Sequence, residues 1–256
     1  MAQKRGGFME FKSKEHLLDF LSNLEDCGFG SQGVCYYNSY DNNVYKIYHQ
    51  FFDDIMDEDF IVKYKQEDIL RFSDINNDTF IWPNDVVRVK DEVVGYKSKF
   101  VNARPLYKIN PLMINLDKFE KSIELSRKDI DIISDRNVLI FDVMYNILYG
   151  NKFYVVDQDE YTFTDGNNAK LKDYNKANFD IELYYFLVDG IFQKFVDDNK
   201  VLKEMYDGKE AGVLEFLKLF RKSLSENVGR DIVRLSDAMS CVDNEQGTTR
   251  YQRILI

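Results

Sequence analysis

The glycine-rich segment 28–33 (GFGSQG) constrains the possible folds more than any other part of the chain. Glycines at this spacing let backbone amides approach a phosphate, because no side chain stands in the way. A dinucleotide-binding fold would continue directly into a helix, and a Walker-type loop would continue with Gly-Lys-Ser/Thr. Here residues 34–40 alternate like a β-strand and lead through a polar turn at 41–43 to a second strand. The pattern predicts a glycine-rich hairpin, and the alternative to a phosphate-binding role is a β-turn that binds no ligand.

Composition excludes several classes of protein. The 256 residues are 45% hydrophobic and 15% aromatic, which is ample for a large core and untypical of a disordered chain. A net charge of −10 argues against broad nucleic-acid binding. The sequence contains no apolar run of about 18 residues, so no membrane span is predicted. The N-terminal residues lack the apolar region of a secretory signal, and three scattered cysteines suit neither a disulfide framework nor a zinc site. We therefore expect a cytoplasmic protein.

The first hundred residues are rich in strand patterns. A helix is predicted over 13–24, where leucines and a phenylalanine share one face, and a second over 51–72. The second helix carries an acidic cluster at 53–59, which suits a solvated helix face or a patch that docks a partner. Two strands are predicted at 85–90 and 92–101.

The rest of the chain is rich in helix patterns. Helices are predicted from about residue 116 and then over 179–195, 212–224 and 231–242. A short apolar run at 138–141 and a hairpin over 146–157, turning at Gly150-Asn151, interrupt them. This distribution predicts a two-lobed α+β protein with a boundary near 101–105. Its predicted parts are a helical extension (1–24), a small lobe (25–101) and a helical large lobe (102–256).

In this order of parts, residues 25–195 resemble the protein-kinase-like superfamily in one of its short, divergent bacterial forms. The resemblance rests on the glycine hairpin, the strand 44–47 (VYKI), the segment 92–106 and the motifs around 138–157. It implies a two-lobed kinase-like fold in which the small lobe has five antiparallel strands and the large lobe is mainly helical. It also implies ATP and Mg²⁺ as cofactors.

The small-lobe residues would bind the nucleotide. Lys46 stands where such kinases keep the lysine that neutralises the α- and β-phosphates; the alternative is an ordinary strand-edge lysine. Its carboxylate partner would be Glu67, 21 residues on, because Glu58 is too close in sequence. Ser98 would be the gatekeeper, beside the adenine. The remaining nucleotide contacts implied by the resemblance are the glycine loop and the hinge backbone, namely Gly28, Gly30, Ser31, Gly33, Lys99 and Val101.

The large-lobe residues would carry the chemistry. Asp142, which follows the apolar run, would orient the acceptor hydroxyl and take its proton. Asn146 and Asp157 would hold Mg²⁺, which prefers oxygen ligands. For Asn146 and Asp157 the alternative is an ordinary turn or capping residue.

Several departures from the family pattern leave the activity open. Asp142 and Asn146 are four residues apart rather than five, Ile140-Phe141 replaces the usual His-Arg, and no Ala-Pro-Glu follows residue 157. The leading function is ATP- and Mg²⁺-dependent phosphoryl transfer to a hydroxyl of a protein or a small molecule. The alternatives are a pseudokinase that binds nucleotide or serves as a scaffold, and an enzyme that transfers another group. The expected partners are a nucleotide and an unidentified acceptor, without nucleic acid.

Overall fold

A computed structural model describes residues 3–5, 8–52, 65–165, 168–209 and 212–242. The chain divides into two units, of which the first comprises residues 1–76 and 81–101 and the second residues 77–80 and 102–256.

A seven-stranded sheet forms the first unit, in the order β1-β2-β6-β7-β5-β4-β3. Its strands are β1 (Gln3–Arg5), β2 (Phe8–Phe11), β3 (Glu25–Phe29), β4 (Gly33–Asn38), β5 (Asn43–Tyr48), β6 (Pro83–Val89) and β7 (Glu92–Lys99). The strands from β3 to β7 pair antiparallel, whereas β2 pairs parallel with β6. Counted over the described residues, the sheet thus has seven strands where five were predicted. The two additional strands come from residues 3–11, in a stretch predicted as part of a helical extension.

Helix α1 (Lys14–Leu21) covers part of this sheet. Ser13 caps it, since the Ser13 side chain accepts a hydrogen bond from the His16 backbone N–H. Leu17 and Leu21 are buried in one apolar cluster with Phe11 of β2. The prediction of a helix within 13–24 is confirmed, and its apolar face lies on the core as the spacing indicated.

The segment after β5 differs from the single helix predicted over 51–72. A short 3₁₀ helix covers His49–Phe52, and helix α2 is only the four residues Gln66–Ile69. Residues 53–64, with the acidic cluster 53–59 and Glu58, lie outside the described residues.

Helices dominate the second unit. They are α3 (Leu116–Asp135), α4 (Asn168–Val188), α5 (Gln193–Asp198), α6 (Lys200–Gly208) and α7 (Val213–Val228), with short 3₁₀ helices at Leu106–Lys108, Pro111–Met113 and Leu235–Cys241. The helix predicted over 179–195 is two helices, and Gly190 between them has φ 71°. Such a dihedral is unstrained for glycine but ends an α-helix. The last predicted helix is a 3₁₀ helix.

Two small sheets lie among these helices. Strands β10 (Ile147–Tyr149) and β11 (Phe153–Val155) form the predicted hairpin, and β8 (Arg104–Pro105) extends it. Strand β9 (Val138–Leu139) pairs with β12 (Thr162–Phe163). Aromatic rings of the hairpin and of helices α3 and α4 pack together in the core, namely Phe119, Phe153, Phe179 and Phe186.

A buried ion pair joins three helices of the second unit. Arg127 of α3 donates to Asp180 of α4 at 2.8 Å and to Glu215 of α7 at 3.2 Å, and Asp180 also accepts from the Val213 N–H at 2.9 Å. Burial raises the pKa of the Asp180 carboxyl, and Arg127 opposes that shift. These bonds hold the start of α7 against α3 and α4.

Within the described ranges, no helix is both long enough and apolar enough to cross a membrane.

Candidate functional site

The glycine hairpin of the first unit connects β3 to β4. The Gly30 N–H donates to the Gly33 carbonyl at 3.0 Å and closes the turn. A Cβ on Gly33 would lie 2.3 Å from the Ile47 carbonyl oxygen, whereas one on Gly30 would meet nothing nearer than 3.8 Å. Gly33 is therefore required by packing against β5, while no close contact requires glycine at Gly30.

Lys46 lies on β5 in the middle of the sheet, opposite Cys35 on one side and Tyr96 on the other. It is only 4% exposed. Its Nζ donates to Gln32 Oε1 at 2.9 Å and lies 5.6 Å from the centroid of the Tyr96 ring. A buried ammonium needs such partners because the loss of water is costly. Lys46 is thus a buried cation that contacts the glycine loop, not a solvent-facing edge lysine.

The other residues that were predicted to bind the nucleotide from the first unit lie on different elements of that unit. Glu67 is exposed on α2, and no ion pair within the described residues joins it to Lys46. Strand β7 ends at Lys99, which is opposite Asn43, and the next residue donates its backbone N–H to the Asn42 carbonyl at 3.1 Å. Val101 is the last residue of this unit.

In the second unit, Asp142 and Asn146 belong to one tight loop between β9 and β10. The Asn146 Nδ2 donates to the Asp142 carbonyl at 2.7 Å, and the Asn146 N–H donates to the Val143 carbonyl at 3.0 Å. Within the described residues, Asn146 Oδ1 accepts no hydrogen bond. The loop thus uses the donor of this amide, whereas its oxygen, the type of atom that can bind a metal, has no hydrogen bond to the described part of the chain.

Left-handed backbone marks the same region. Asp142, Tyr145 and Asp157 have φ of 47°, 71° and 61°. This conformation is uncommon for residues other than glycine and costs free energy, most of all for a bulky side chain such as Tyr145. Strain of this kind is concentrated at functional sites and is maintained by surrounding bonds.

Helix α4 supplies those bonds. The Glu182 carboxylate accepts from the Tyr145 N–H at 2.9 Å. Asn175 accepts from the Ile140 N–H at 3.0 Å and donates to the Val138 carbonyl at 2.8 Å. Asn178 donates to the Ile140 carbonyl at 3.0 Å. The three side chains share one helix face and hold the backbone on both sides of Asp142.

Asp157 follows strand β11, half-buried. The neighbouring Val156 N–H donates to the Asn146 carbonyl at 3.1 Å, which joins the end of β11 to the loop. Burial raises the pKa of the Tyr161 phenol, and the charges of Asp157 and Asp142 raise it further. Because the Asn146 side chain is in turn bonded to the Asp142 carbonyl, the fold brings the backbone at Asp142, Asn146 and Asp157 together within the second unit.

Residues 77–80 also belong to this neighbourhood, although the sequence pattern gave no sign of it. The Val155 N–H donates to the Thr79 carbonyl at 2.8 Å. Thr79 and Asp78 in turn donate to the buried Asp129 carboxylate at 2.6 and 3.1 Å. The strand that ends at Asp157 is thus tied to helix α3 through a short piece of chain that precedes β6.

Several of these residues were not predicted. Gln32 was part of the glycine motif without a role, Glu182 lay in the apolar helix predicted over 179–195, and Asn175 and Asn178 lay before that helix. Their i, i+3, i+7 spacing is a usable signal, because a polar stripe on a buried helix needs partners. Tyr161 gave no signal beyond its proximity in sequence to Asp157.

Comparison with known proteins gives little support for a family. No family model matches the chain, and no curated protein sequence matches it. Among solved structures, the chain is similar to a twitchin kinase fragment from C. elegans, described as an autoregulated protein kinase with immunoglobulin domains, at 14% identity and a TM-score of 0.41. The match covers 55% of this chain and 33% of that chain.

Proposed function

We propose that this protein transfers a phosphoryl group from ATP, with Mg²⁺, to a hydroxyl acceptor. The observation that carries the proposal is that hydrogen bonds join the chain at Asp142, Asn146 and Val156, next to Asp157, around one strained loop of the second unit. Phosphoryl transfer depends on positioning and charge neutralisation, and two carboxylates with an amide oxygen suit both tasks.

The donor set fits a magnesium ion. Within the described residues no three His, Cys, Asp or Glu side chains form a metal cluster. Mg²⁺ does not need one, because it is usually bound by one or two carboxylates together with phosphates and waters. Asn146 Oδ1 and the Asp157 carboxylate would hold the ion, which when bound supplies positive charge against the phosphates. The Asp142 carboxylate would accept the proton of the acceptor hydroxyl.

The first unit would bind the nucleotide. Lys46 and the backbone amides of the loop 28–33 are groups that bind phosphates, and the backbone of Lys99 and Val101 would bind adenine. Glu67 is the proposed carboxylate partner of Lys46 in the nucleotide-bound protein. Its exposed side chain makes no competing ion pair within the described residues.

A second candidate is a pseudokinase that binds nucleotide without turnover. It is favoured by the bond from Lys46 to Gln32, because the lysine contacts a neutral amide of the glycine loop rather than Glu67. The four-residue spacing from Asp142 to Asn146 favours it as well.

A thermal-shift titration with ATP, with and without Mg²⁺, tests the proposal. Ligand at about 100 times its Kd stabilises a protein by about 2.7 kcal/mol, which corresponds to a midpoint shift of about 5–10 °C for a chain of this size. The variants are Asp157→Asn, Asp142→Asn and, as a matched control, Asp173→Asn on an exposed position of α4.

We expect Asp157→Asn to lose the Mg²⁺-dependent part of the thermal shift. Asp142→Asn should still bind the nucleotide but form no phosphorylated product, which is detected by mass spectrometry. Asp173→Asn should behave like the unmodified protein. Equal loss of binding in the two site variants would refute the assigned roles. Binding without phosphorylated product would favour the pseudokinase, and absence of any nucleotide shift would exclude both candidates.

A further inference from the structure

Gln32 is bonded to the strand that carries Lys46 through both its backbone and its side chain. Its carbonyl accepts from the His49 N–H at 3.0 Å, directly after β5. Its side-chain Oε1 accepts from Lys46 Nζ at 2.9 Å. The tip of the glycine hairpin is therefore joined to the buried cation by a side chain of the hairpin itself.

The hairpin is also held down next to this contact. His49 Nε2 is 2.8 Å from the Gly30 carbonyl, and the Phe29 and His49 rings lie 4.8 Å apart. Pairing of Gly33 with Tyr48 in the ladder between β4 and β5 holds the other end of the turn against β5. With both ends of the turn bonded to β5 or the residue after it, the Gln32 carboxamide has a defined place against Lys46.

A carboxamide oxygen is a weaker partner for a buried ammonium than a phosphate oxygen. Both oxygens accept a charge-assisted bond from the ammonium, but the negative charge of a phosphate adds Coulombic attraction that the neutral carboxamide lacks. A phosphate can therefore take the Lys46 bond from Gln32, but only by displacing the amide. The apparent Kd is then the intrinsic Kd divided by the fraction of molecules in which the amide does not occupy Lys46.

We propose that Gln32 caps Lys46 in the ligand-free protein and that a nucleotide phosphate must displace its carboxamide, so that this residue sets the nucleotide affinity. The inference rests on the proposed function, because it concerns the same phosphate-binding lysine. It assigns to Gln32 the role of a competing intramolecular ligand rather than that of a nucleotide contact.

Calorimetric titration of Mg²⁺-ATP into three variants tests this role. Gln32→Ala removes the competing acceptor, and water takes its place at Lys46. Because water binds the ammonium less strongly than the amide does, phosphate displaces it more easily, and the Kd should fall about five- to tenfold. Gln32→Glu replaces the amide by a carboxylate that pairs with Lys46 and repels phosphate, so its Kd should rise at least tenfold.

The chain offers a matched control in Gln66. Its Oε1 accepts from Arg88 Nη2 at 2.9 Å, so Gln66→Ala also removes a glutamine bond to a cation of the first unit. The Kd of this variant should equal that of the unmodified protein. Circular dichroism checks that each variant is folded, and Gln32→Glu decides the question if Gln32→Ala does not fold.

The outcomes separate this inference from the proposed function. If the unmodified protein binds ATP and Gln32→Ala binds it equally or more weakly, Gln32 is not a competitor, and the proposed function stands. Binding that is detectable only in Gln32→Ala supports the competitor role directly. If neither protein binds ATP, the proposed function fails and the inference fails with it.

Discussion

Replacing Asn175 by alanine tests whether helix α4 positions the Asp142 loop. Asn175 is fully buried and makes three hydrogen bonds, to Ser134 Oγ at 2.9 Å, to the Val138 carbonyl at 2.8 Å and from the Ile140 N–H at 3.0 Å. The substitution removes all three and leaves buried polar groups of the backbone without this partner.

The expected loss follows from these bonds. A hydrogen bond contributes about 1 kcal/mol net to stability, so three of them give about 3 kcal/mol. For a chain of this size that corresponds to a midpoint about 6–12 °C lower. Asn178→Ala is the matched control on the same helix face, because it removes only the bond to the Ile140 carbonyl at 3.0 Å and should cost about 1 kcal/mol.

Urea unfolding monitored by circular dichroism measures both losses of stability. The slope of the unfolding free energy against urea concentration should be the same in all the proteins compared. The same proteins are then assayed for Mg²⁺-dependent ATP binding, which should weaken more in Asn175→Ala than in Asn178→Ala. If Asn175→Ala costs 1 kcal/mol or less, or if the two variants lose the same stability, the contacts of Asn175 do not hold the loop in place.

Two further predictions concern the glycine hairpin and the end of the second unit. Gly33→Ala should lower the thermal midpoint of unfolding by several degrees, because its Cβ would clash with the Ile47 carbonyl. The midpoint of Gly30→Ala should stay within about 1 °C of that of the unmodified protein. Equal midpoints for the two variants would contradict the packing argument. Asp237 accepts from the Val233 and Arg234 N–H groups at 2.9 and 2.8 Å, and these bonds lower its pKa. A lowered carboxyl pKa stabilises the folded state above the unfolded value near about 4, and the effect is lost as the pH falls through the folded value. The stability difference between the unmodified protein and Asp237→Asn should therefore be constant from about pH 7 to 5 and shrink toward pH 3. A difference at pH 3 equal to that at pH 7 would refute this role of the Asp237 carboxylate.

Local patterns were sufficient to predict several elements of both units. The alternation after the glycine segment predicted β4, and the paired strand patterns around Gly150 predicted the hairpin of β10 and β11. These elements depend on residues a few positions apart, so their signals are contained in short windows of sequence. Helices α1, α3 and α7 have strong apolar periodicity and were predicted for the same reason.

Elements that depend on distant pairing were missed. Strand β2 is only four residues long, and it joins the sheet by pairing with Val86–Val89, more than seventy positions further on. No window of sequence contains that pairing, so the sheet was predicted with five strands instead of seven. The union of residues 77–80 with the second unit is of the same kind, because it depends on Thr79 meeting Asp129 across 50 positions.

The candidate site shows the same difference between features that local sequence predicts and features that depend on distant contacts. Lys46, Asp142, Asn146 and Asp157 were selected from the sequence because their order resembles that of the protein-kinase-like superfamily. For Asp157 the sequence added a physical reason, since a carboxylate after an apolar strand needs a polar partner or ligand. Which groups these residues contact was decided by tertiary structure, since the partner of the Lys46 side chain lies 14 positions away and the Tyr145 backbone N–H, in the Asp142 loop, is bonded to a residue 37 positions away. Spacing along the chain specifies the period of a helix or strand, whereas burial and hydrogen bonding are satisfied by whatever the fold brings near. For this reason the sequence predicted the chemical groups of the site, and only the folded chain determined that Gln32 is bonded to Lys46 and that α4 holds the Asp142 loop.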